Sequence, residues 1–327
     1  MRLVMMGTGP FAVPTCEALC DSTHQVVAVV TRPAVPSRGR GPAPVNPMRA
    51  FAESRGLPVY DPPSINTDEA RAWLVNWQAD LLVVCDYGQI LSSATLATSR
   101  LGGINLHGSL LPRYRGAAPV QWAVYHGDLE TGVSVIHMTP QLDGGPILTT
   151  RRTPIGDRET AAELEPRLAQ LGVPAVLEAL EMLAAWDGHS PLGQLQDAAQ
   201  ASKAPRLSKN LGQIDWHKTA RQIQQQIRAF QPWPGSYTDW QTPKGDWLRL
   251  IVQQVSDATT PPAAAAGAVC GQIVHVDRTE LWVATGAGVL RLERLQPASK
   301  RSMDVAEFLR GHPMQLGQCL GMPVASP

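Results

Sequence analysis

Short apolar runs alternate with helical stretches over the first 150 residues of the chain. Residues 25–31 and 81–85 are almost continuously apolar and rich in valine and leucine. Unbroken apolar strands are typical of strands buried on both faces, and helices between such strands are typical of a parallel sheet. We therefore predict an α/β domain with a parallel sheet covered on both faces. The predicted strands are residues 3–6, 25–31, 81–85, 103–107, 131–137 and 146–153; the predicted helices are 14–21, 47–55, 68–77 and part of 160–187.

The sequence changes character after the last of these helices. Residues 188–212 show little periodicity and are rich in Gly, Pro, Gln and Ala, which is typical of a linker. Short strands separated by turn residues then follow at 271–276, 280–284 and 288–295. We place the first domain at 1–189, the linker at 190–208 and a second domain, a small β-barrel with a few helices, at 209–327.

Charge and cysteine content narrow the possible functions. The chain has 28 Lys+Arg and 28 Asp+Glu, and this balance taken alone argues against binding to nucleic acid or a membrane surface. The average hides a division, because residues 1–205 carry a formal charge of −4 and residues 206–327 a charge of +4. No apolar run approaches the roughly 20 residues that span a bilayer. We therefore expect no membrane contact. The five cysteines form no C-x-x-C pair, so we expect reduced thiols in a cytoplasmic protein and no metal site.

A glycine-containing turn follows the first strand. Gly7-Thr8-Gly9-Pro10-Phe11-Ala12 fits the dinucleotide-binding pattern G-x-G-x-x-G/A, but Pro10 removes a backbone N–H from the turn. No acidic residue ends the second strand to hold a ribose hydroxyl. We interpret the segment as a tight strand-to-helix turn.

The most informative polar residues follow the predicted strand 103–107. Asn105 and His107 are two residues apart, which in an extended strand directs both side chains to the same side. An amide and an imidazole there can donate hydrogen bonds to an oxygen that becomes negative during acyl transfer. The alternative stays open, because a single His or Asn at a strand end more often has a structural role.

Asp143 is the third candidate, in Gln141-Leu142-Asp143-Gly144-Gly145. An Asp before glycines is ordinarily a turn residue that caps backbone N–H groups. If the fold brings it beside His107, it can hold the imidazole charged or accept a proton from an attacking amine. The chain has no nucleophile-elbow serine or cysteine and no H-E-x-x-H motif, so covalent catalysis and metal-dependent hydrolysis are poorly supported.

These motifs together resemble the 10-formyltetrahydrofolate-dependent formyltransferases. The likeness rests on Asn105-x-His107, on the Ser-Leu-Leu-Pro that follows it, and on the Leu-Asp-x-Gly turn of Asp143. Runs at 204–209, 214–216, 227–235 and 295–298 are similar to those members that formylate methionine carried by initiator tRNA. The acceptors of other members, a sugar-nucleotide amine or water, remain the alternative.

The resemblance implies a Rossmann-like catalytic domain followed by an OB-like β-barrel that binds tRNA. It implies 10-formyltetrahydrofolate as the formyl donor, consumed in the reaction, and initiator methionyl-tRNA as the partner; we expect a monomer. Asn105 and protonated His107 would stabilise the tetrahedral oxyanion, with Asp143 maintaining the charge of His107. The residues expected to hold the folate are Ser109, Leu110, Leu111, Pro112, Tyr87 and Gln89.

The tRNA contacts implied by the resemblance are basic. They comprise the arginines of a loop after the second strand together with cations of the second domain, namely Arg38, Arg40, Arg49, Lys209, Lys300 and Arg301. The loop arginines could instead serve only solubility. Trp216 and Trp233 could stack on bases, but we expect both to pack in the core, because large aromatic residues dominate small cores.

Overall fold

The structure of the protein, a computed structural model, describes residues 1–34, 45–257 and 265–321. The chain forms two compact units. The first unit comprises Met1–Val120, Leu129–Ile155 and Glu163–Arg206, and the second comprises Gln121–Asp128, Gly156–Ala162 and Leu207–Pro327. The predicted domain boundaries at 189 and 209 stay a proposal.

The elements up to residue 206 alternate between strands and helices as far as residue 107, as predicted. They are β1 (Arg2–Met6), α1 (Val13–Cys20), β2 (Gln25–Val30), α2 (Pro47–Ser54), β3 (Val59–Tyr60), α3 (Asp68–Asn76), β4 (Leu81–Val84), α4 (Ser93–Leu96), β5 (Gly103–His107), β6 (Arg115–Gly116), α5 (Pro119–His126), β7 (Glu130–His137), β8 (Ile147–Pro154), α6 (Ala161–Ala184) and β9 (Lys203–Ala204). Strands follow one another directly at β5–β6 and at β7–β8.

Seven of these strands form the sheet of the first unit, in the order β3-β2-β1-β4-β5-β7-β8. Strands β1 to β5 are parallel, and all four residues Leu3–Met6 of β1 are 0% exposed, as expected for a strand covered on both faces. The last two strands differ from the predicted parallel arrangement, because β7 runs antiparallel to β5 and β8 antiparallel to β7. A short connection with turn glycines joins β7 to β8, and a short connection permits only an antiparallel pair.

The order of the strands locates the ligand-binding edge. From β1 the chain builds outward through β2 and β3 on one side, and then through β4 and β5 on the other. The order therefore reverses between β1 and β4. In open α/β sheets ligands bind in the crevice beyond the carboxyl ends of the strands at such a reversal.

The second unit contains a curled antiparallel sheet that forms half of a barrel. Its sheet has the order β10-β11-β14-β13-β12, and β15 pairs with β14. Strands β10 and β11 were not predicted, because Arg, Gln and Asp interrupt their apolar residues. The elements are α7 (Ala220–Ala229), β10 (Ser236–Gln241), β11 (Trp247–Asp257), β12 (Ile273–Val276), β13 (Leu281–Ala284), β14 (Val289–Pro297), β15 (Met303–Asp304) and α8 (Val305–Gly311).

The two tryptophans expected in the core have different environments. Trp216 is 4% exposed, and its indole Nε1 donates to Thr238 Oγ1 at 3.0 Å. Trp233 is 50% exposed, so the expectation that it packs in the core is wrong. It lies in the turn after α7, where Phe230, 0% exposed, occupies the buried position instead.

Across residues 1–34, 45–257 and 265–321, no helix is both long enough and apolar enough to cross a membrane.

Candidate active site

The structure brings together the three polar residues singled out from the sequence. Asn105 Nδ2 donates to Asp143 Oδ1 at 3.3 Å, and His107 Nδ1 lies 3.8 Å from Asp143 Oδ2. Asn105 and His107 lie in β5, with their side chains on one side of the strand. Asp143 reaches them from the turn between β7 and β8. The side chains of His107 and Asp143 are 6% and 9% exposed, so little water competes for the contact between them.

Two neighbours hold Asp143, one at its carboxylate and one at the backbone of its turn. The backbone N–H of Gly116 donates to Oδ2 at 2.8 Å. Asp143 itself adopts a left-handed backbone with φ of 49°, which Asp tolerates better than most residues. The side chain of Gln196 donates to the carbonyls of Asp143 and Gly145, both at 2.8 Å, and so holds the turn in place. Gln196 lies in the segment interpreted as a linker, where nothing in the sequence pattern indicated a role in the site.

The surroundings of His107 determine which ring nitrogen faces the reaction. Its Nε2 lies 2.8 Å from the backbone carbonyl of Tyr114. A carbonyl oxygen only accepts hydrogen bonds, so Nε2 carries a hydrogen and donates it. Nδ1 is therefore the ring nitrogen left free of this backbone bond, and it faces Asp143.

The segment after His107 is held by two serine hydroxyl groups, one of its own and one from β7. Ser109 Oγ donates to the Arg113 carbonyl at 2.7 Å. Ser134 Oγ donates to the Ser109 carbonyl at 2.8 Å and accepts from Leu111 N at 3.1 Å. Ser109 is 0% exposed, so its side chain supports the loop while Leu110 and Pro112 stay partly accessible.

The other predicted folate residues follow β4, and their side chains contact the protein. Tyr87 is 2% exposed and packs in a core cluster with Val4 and Met6. Gln89 accepts a hydrogen bond from Ile65 N at 2.8 Å and donates to the Pro62 carbonyl at 3.3 Å. The backbone of residues 87–91, rather than these two side chains, is therefore available to contact a ligand.

The predicted tRNA-binding cations fall into three groups. Arg38 and Arg40 lie outside the described residues. Arg49 pairs with Asp61 at 2.7 Å and Glu53 at 3.4 Å, and Arg301 pairs with Glu307. Lys209 and Lys300 are exposed, and neither forms an ion pair with another described residue.

Asp86, which the sequence reasoning did not select, lies directly after Cys85 at the carboxyl end of β4. It has a φ of 48°, and its carbonyl accepts from Thr8 N at 3.0 Å. The residue is exposed, yet burial of its carboxyl by surrounding protein raises the pKa to about 6, against a smaller opposing effect of the Gly9 N–H.

The described residues also include one group of potential metal ligands. His275, Asp277 and Glu280 of the second unit place their ligand atoms within 4.8 Å of one another. None of them is a predicted site residue, and the expectation of no metal stays a prediction.

Comparison with known families and proteins covers both units. The family described as formyl transferase matches residues 1–180, and the family described as formyl transferase, C-terminal domain, matches residues 206–313. A methionyl-tRNA formyltransferase of Rhodopirellula baltica is 51% identical over 99% of this chain and 97% of its own length. One from Methylococcus capsulatus is 42% identical over 98% of this chain and 100% of its own length.

Solved structures with low sequence identity show the same fold. An N-formyltransferase from Helicobacter canadensis, in complex with folinic acid and dTDP-3-aminofucose, has a TM-score of 0.63 at 15% identity, covering 89% of this chain and 98% of that chain. HypX from Aquifex aeolicus in complex with tetrahydrofolic acid has a TM-score of 0.56 at 15% identity and covers 98% of this chain. This chain spans 50% of the length of HypX.

Proposed function

We propose a mechanism for this chain on the basis of its family. The chain belongs to the formyl transferase family and, within it, to the methionyl-tRNA formyltransferases. The chain is a formyl-transferring enzyme that uses a tetrahydrofolate-derived donor. We propose that the donor is 10-formyltetrahydrofolate and that the acceptor is the amino group of methionine on initiator tRNA. The observation that carries the mechanism is the convergence of Asn105, His107 and Asp143 at one point beside β5.

The first step is attack of the methionyl amine on the formyl carbon, which gives a tetrahedral intermediate with a negative oxygen. Asn105 Nδ2 and the Nδ1–H of protonated His107 are the donors placed to stabilise that oxygen. The Tyr114 carbonyl supports this role, because it keeps the ring oriented by accepting from Nε2.

Asp143 has two tasks in this scheme. Its negative charge, held by the Gly116 N–H, favours the protonated form of His107. Its carboxylate also accepts the proton that the amine loses on forming the new C–N bond, directly or through a water molecule. N10 of the folate takes up one proton when its bond to the formyl carbon breaks, so proton release and uptake balance over one turnover.

The backbone around Ser109–Pro112 and around Tyr87–Leu91 is proposed to hold the folate. The hydrogen bonds of Ser109 and Gln89 to neighbouring backbone groups support a rigid lining for this pocket. We propose that the protein acts as a monomer.

The tRNA is proposed to contact the basic side chains predicted from the sequence, through its phosphates. Lys209 and Lys300 are the strongest candidates among the described residues, because their ammonium groups are exposed and make no ion pair there. The +4 charge of residues 206–327 supports a phosphate-binding role for this half of the chain.

A formylation assay tests the proposal. The purified chain is incubated with 10-formyltetrahydrofolate and methionyl initiator tRNA, with methionyl elongator tRNA as the control acceptor. We expect formylmethionyl-tRNA from the initiator species at a much higher rate than from the elongator species. Absence of product with active folate, or release of formate without any tRNA, would contradict it.

A further inference from the structure

Two loops meet where the strand order of the first unit reverses. Gly9 follows β1 and Asp86 follows β4, and these two strands are parallel neighbours. Val84 of β4 pairs with Met6 of β1 on one side and with Asn105 of β5 on the other. Asp86 is two residues beyond Val84, just as His107 is two residues beyond Asn105. Asp86 therefore lies at the level of His107, in the crevice where open α/β sheets bind ligands.

Gly9 and Asp86 fit together closely. A Cβ atom on Gly9 would lie 1.9 Å from Asp86 Oδ2, so any side chain there would displace the carboxylate. The left-handed backbone of Asp86, with φ of 48°, and its main-chain bond with Thr8 hold the residue against this turn. The Asp86 carboxylate can occupy this position only because Gly9 has no side chain.

The carboxyl of Asp86 has no positive partner within the described residues. It is exposed but surrounded by protein, and burial raises its pKa to about 6. The pKa of Glu165 on α6 is also raised, by burial first and then by the charge of Asp86. The Asp86 carboxylate therefore lacks a compensating positive charge, and a cation that binds it gains more than a neutral donor.

We propose that Asp86 binds the protonated α-amino group of the aminoacyl acceptor and holds it beside Asn105 and His107. The ammonium passes one proton to the Asp86 carboxylate, which releases it to solvent, and the neutral amine then loses a further proton to Asp143 as the C–N bond forms. This inference rests on the proposed function, since it deepens the recognition of that acceptor. The ligand group that the Asp86 carboxylate would bind is a primary ammonium. The neutral N–H edge of the folate pterin could also bond to a carboxylate, but the negative charge of Asp86 favours a cation.

Two variants test the role of the carboxylate in different ways. Asp86→Asn keeps the shape and removes the charge, and Gly9→Ala keeps the charge and displaces the carboxylate. We expect either change to raise the KM for methionyl-tRNA by about 10- to 100-fold, the range for one charged hydrogen bond. The KM for the folate is expected to stay within about two-fold, and Asp246→Asn, on the exposed surface of the second unit, serves as control.

A binding measurement without turnover completes the test. A non-hydrolysable methionine amide of 3′-amino-adenosine is compared with its α-hydroxy counterpart, which lacks the ammonium, by calorimetry. The unsubstituted protein should prefer the amine by at least 10-fold and Asp86→Asn should lose this preference. Equal affinities in the unsubstituted protein, or a raised KM for folate alone, would overturn the proposal. Failure of the unsubstituted protein to formylate tRNA would refute the proposed function instead, and the two analogues would still decide the role of Asp86.

Discussion

Nδ1 of His107 lies 3.8 Å from Oδ2 of Asp143, with both side chains almost fully buried. The distance exceeds that of a hydrogen bond, so the carboxylate acts on the imidazole mainly through its charge. The same Oδ2 already accepts the Gly116 N–H, which fixes the charge in position.

The Asp143→Asn variant isolates that charge. An amide can still accept from Gly116, so the turn should keep its shape, while the support for protonated His107 is lost. We expect kcat to fall by about 10²-fold or more, the usual range for a general acid or base. Steady-state kinetics at saturating tRNA and folate measure it, with Asp246→Asn as control. Full activity would remove Asp143 from the mechanism.

The two oxyanion donors, Asn105 and His107, should contribute comparably to kcat. His107→Ala and Asn105→Ala are each expected to lower kcat by about 10²–10³-fold, the loss of about 2.7–4 kcal/mol for one donor. The affinity for tRNA should hardly change, because neither side chain is a proposed phosphate contact. His189→Ala, at an exposed position, and Asn210→Ala, also exposed, are the matched controls. If both site variants retain the full rate, the proposed oxyanion site is wrong.

The predicted tRNA-binding residues differ in whether they form an ion pair within the protein. Lys209→Ala and Lys300→Ala should each weaken tRNA binding and reduce the slope of log K against log salt by about 0.7–0.9. Arg49→Ala and Arg301→Ala should have smaller effects, because nearby carboxylates already neutralise these side chains. Binding titrations at several salt concentrations measure the slope. Equal slopes for all four variants and the parent protein would exclude a phosphate role for the lysines.

The two tryptophans of the second unit give a matched test of packing. Trp216 is 4% exposed, and its replacement by alanine should cost about 3–5 kcal/mol of unfolding free energy. Trp233 is 50% exposed, so the same replacement should cost less than about 1 kcal/mol. Urea unfolding of both variants measures the difference. Similar losses for the two would show that Trp233 packs against something in the folded protein.

Asp86 should make stability depend on pH. Its pKa is raised from 3.8 to about 6 in the folded chain, so between these values the folded state binds more protons than the unfolded state. The unfolding free energy contributed by this group therefore falls as the pH rises through that window. Asp86→Asn should be more stable than the parent at pH 7, and the advantage should shrink as the pH falls towards 4. Melting temperatures at several pH values measure it, and an advantage independent of pH would contradict the raised pKa.

The fold was largely predictable where apolar periodicity is strong. Residues 81–85 and 103–107 were predicted as strands, and β4 and β5 occupy Leu81–Val84 and Gly103–His107. The sequence indicated less for β10 and β11. Strand β11 has exposed polar residues such as Gln254, as expected for a strand with one solvated face. Strand β10 instead contains the buried polar residues Thr238 and Asp239, and in both strands the polar residues obscure the apolar pattern. Trp233 was misplaced for a related reason, since residue type alone does not show which aromatic of a turn faces inward.

The sequence by itself determined the parallel core of the sheet, the spacing of Asn105 and His107 on one side of a strand, and the family. Only the tertiary structure decided that the turn of Asp143 meets them, that Gln196 supports that turn, and that Gly9 makes room for Asp86. The physical reason is the range of the interactions. Apolar periodicity and backbone alternation act between neighbours in the chain, whereas these contacts join residues 38 to 77 positions apart, so only the packed fold brings them together.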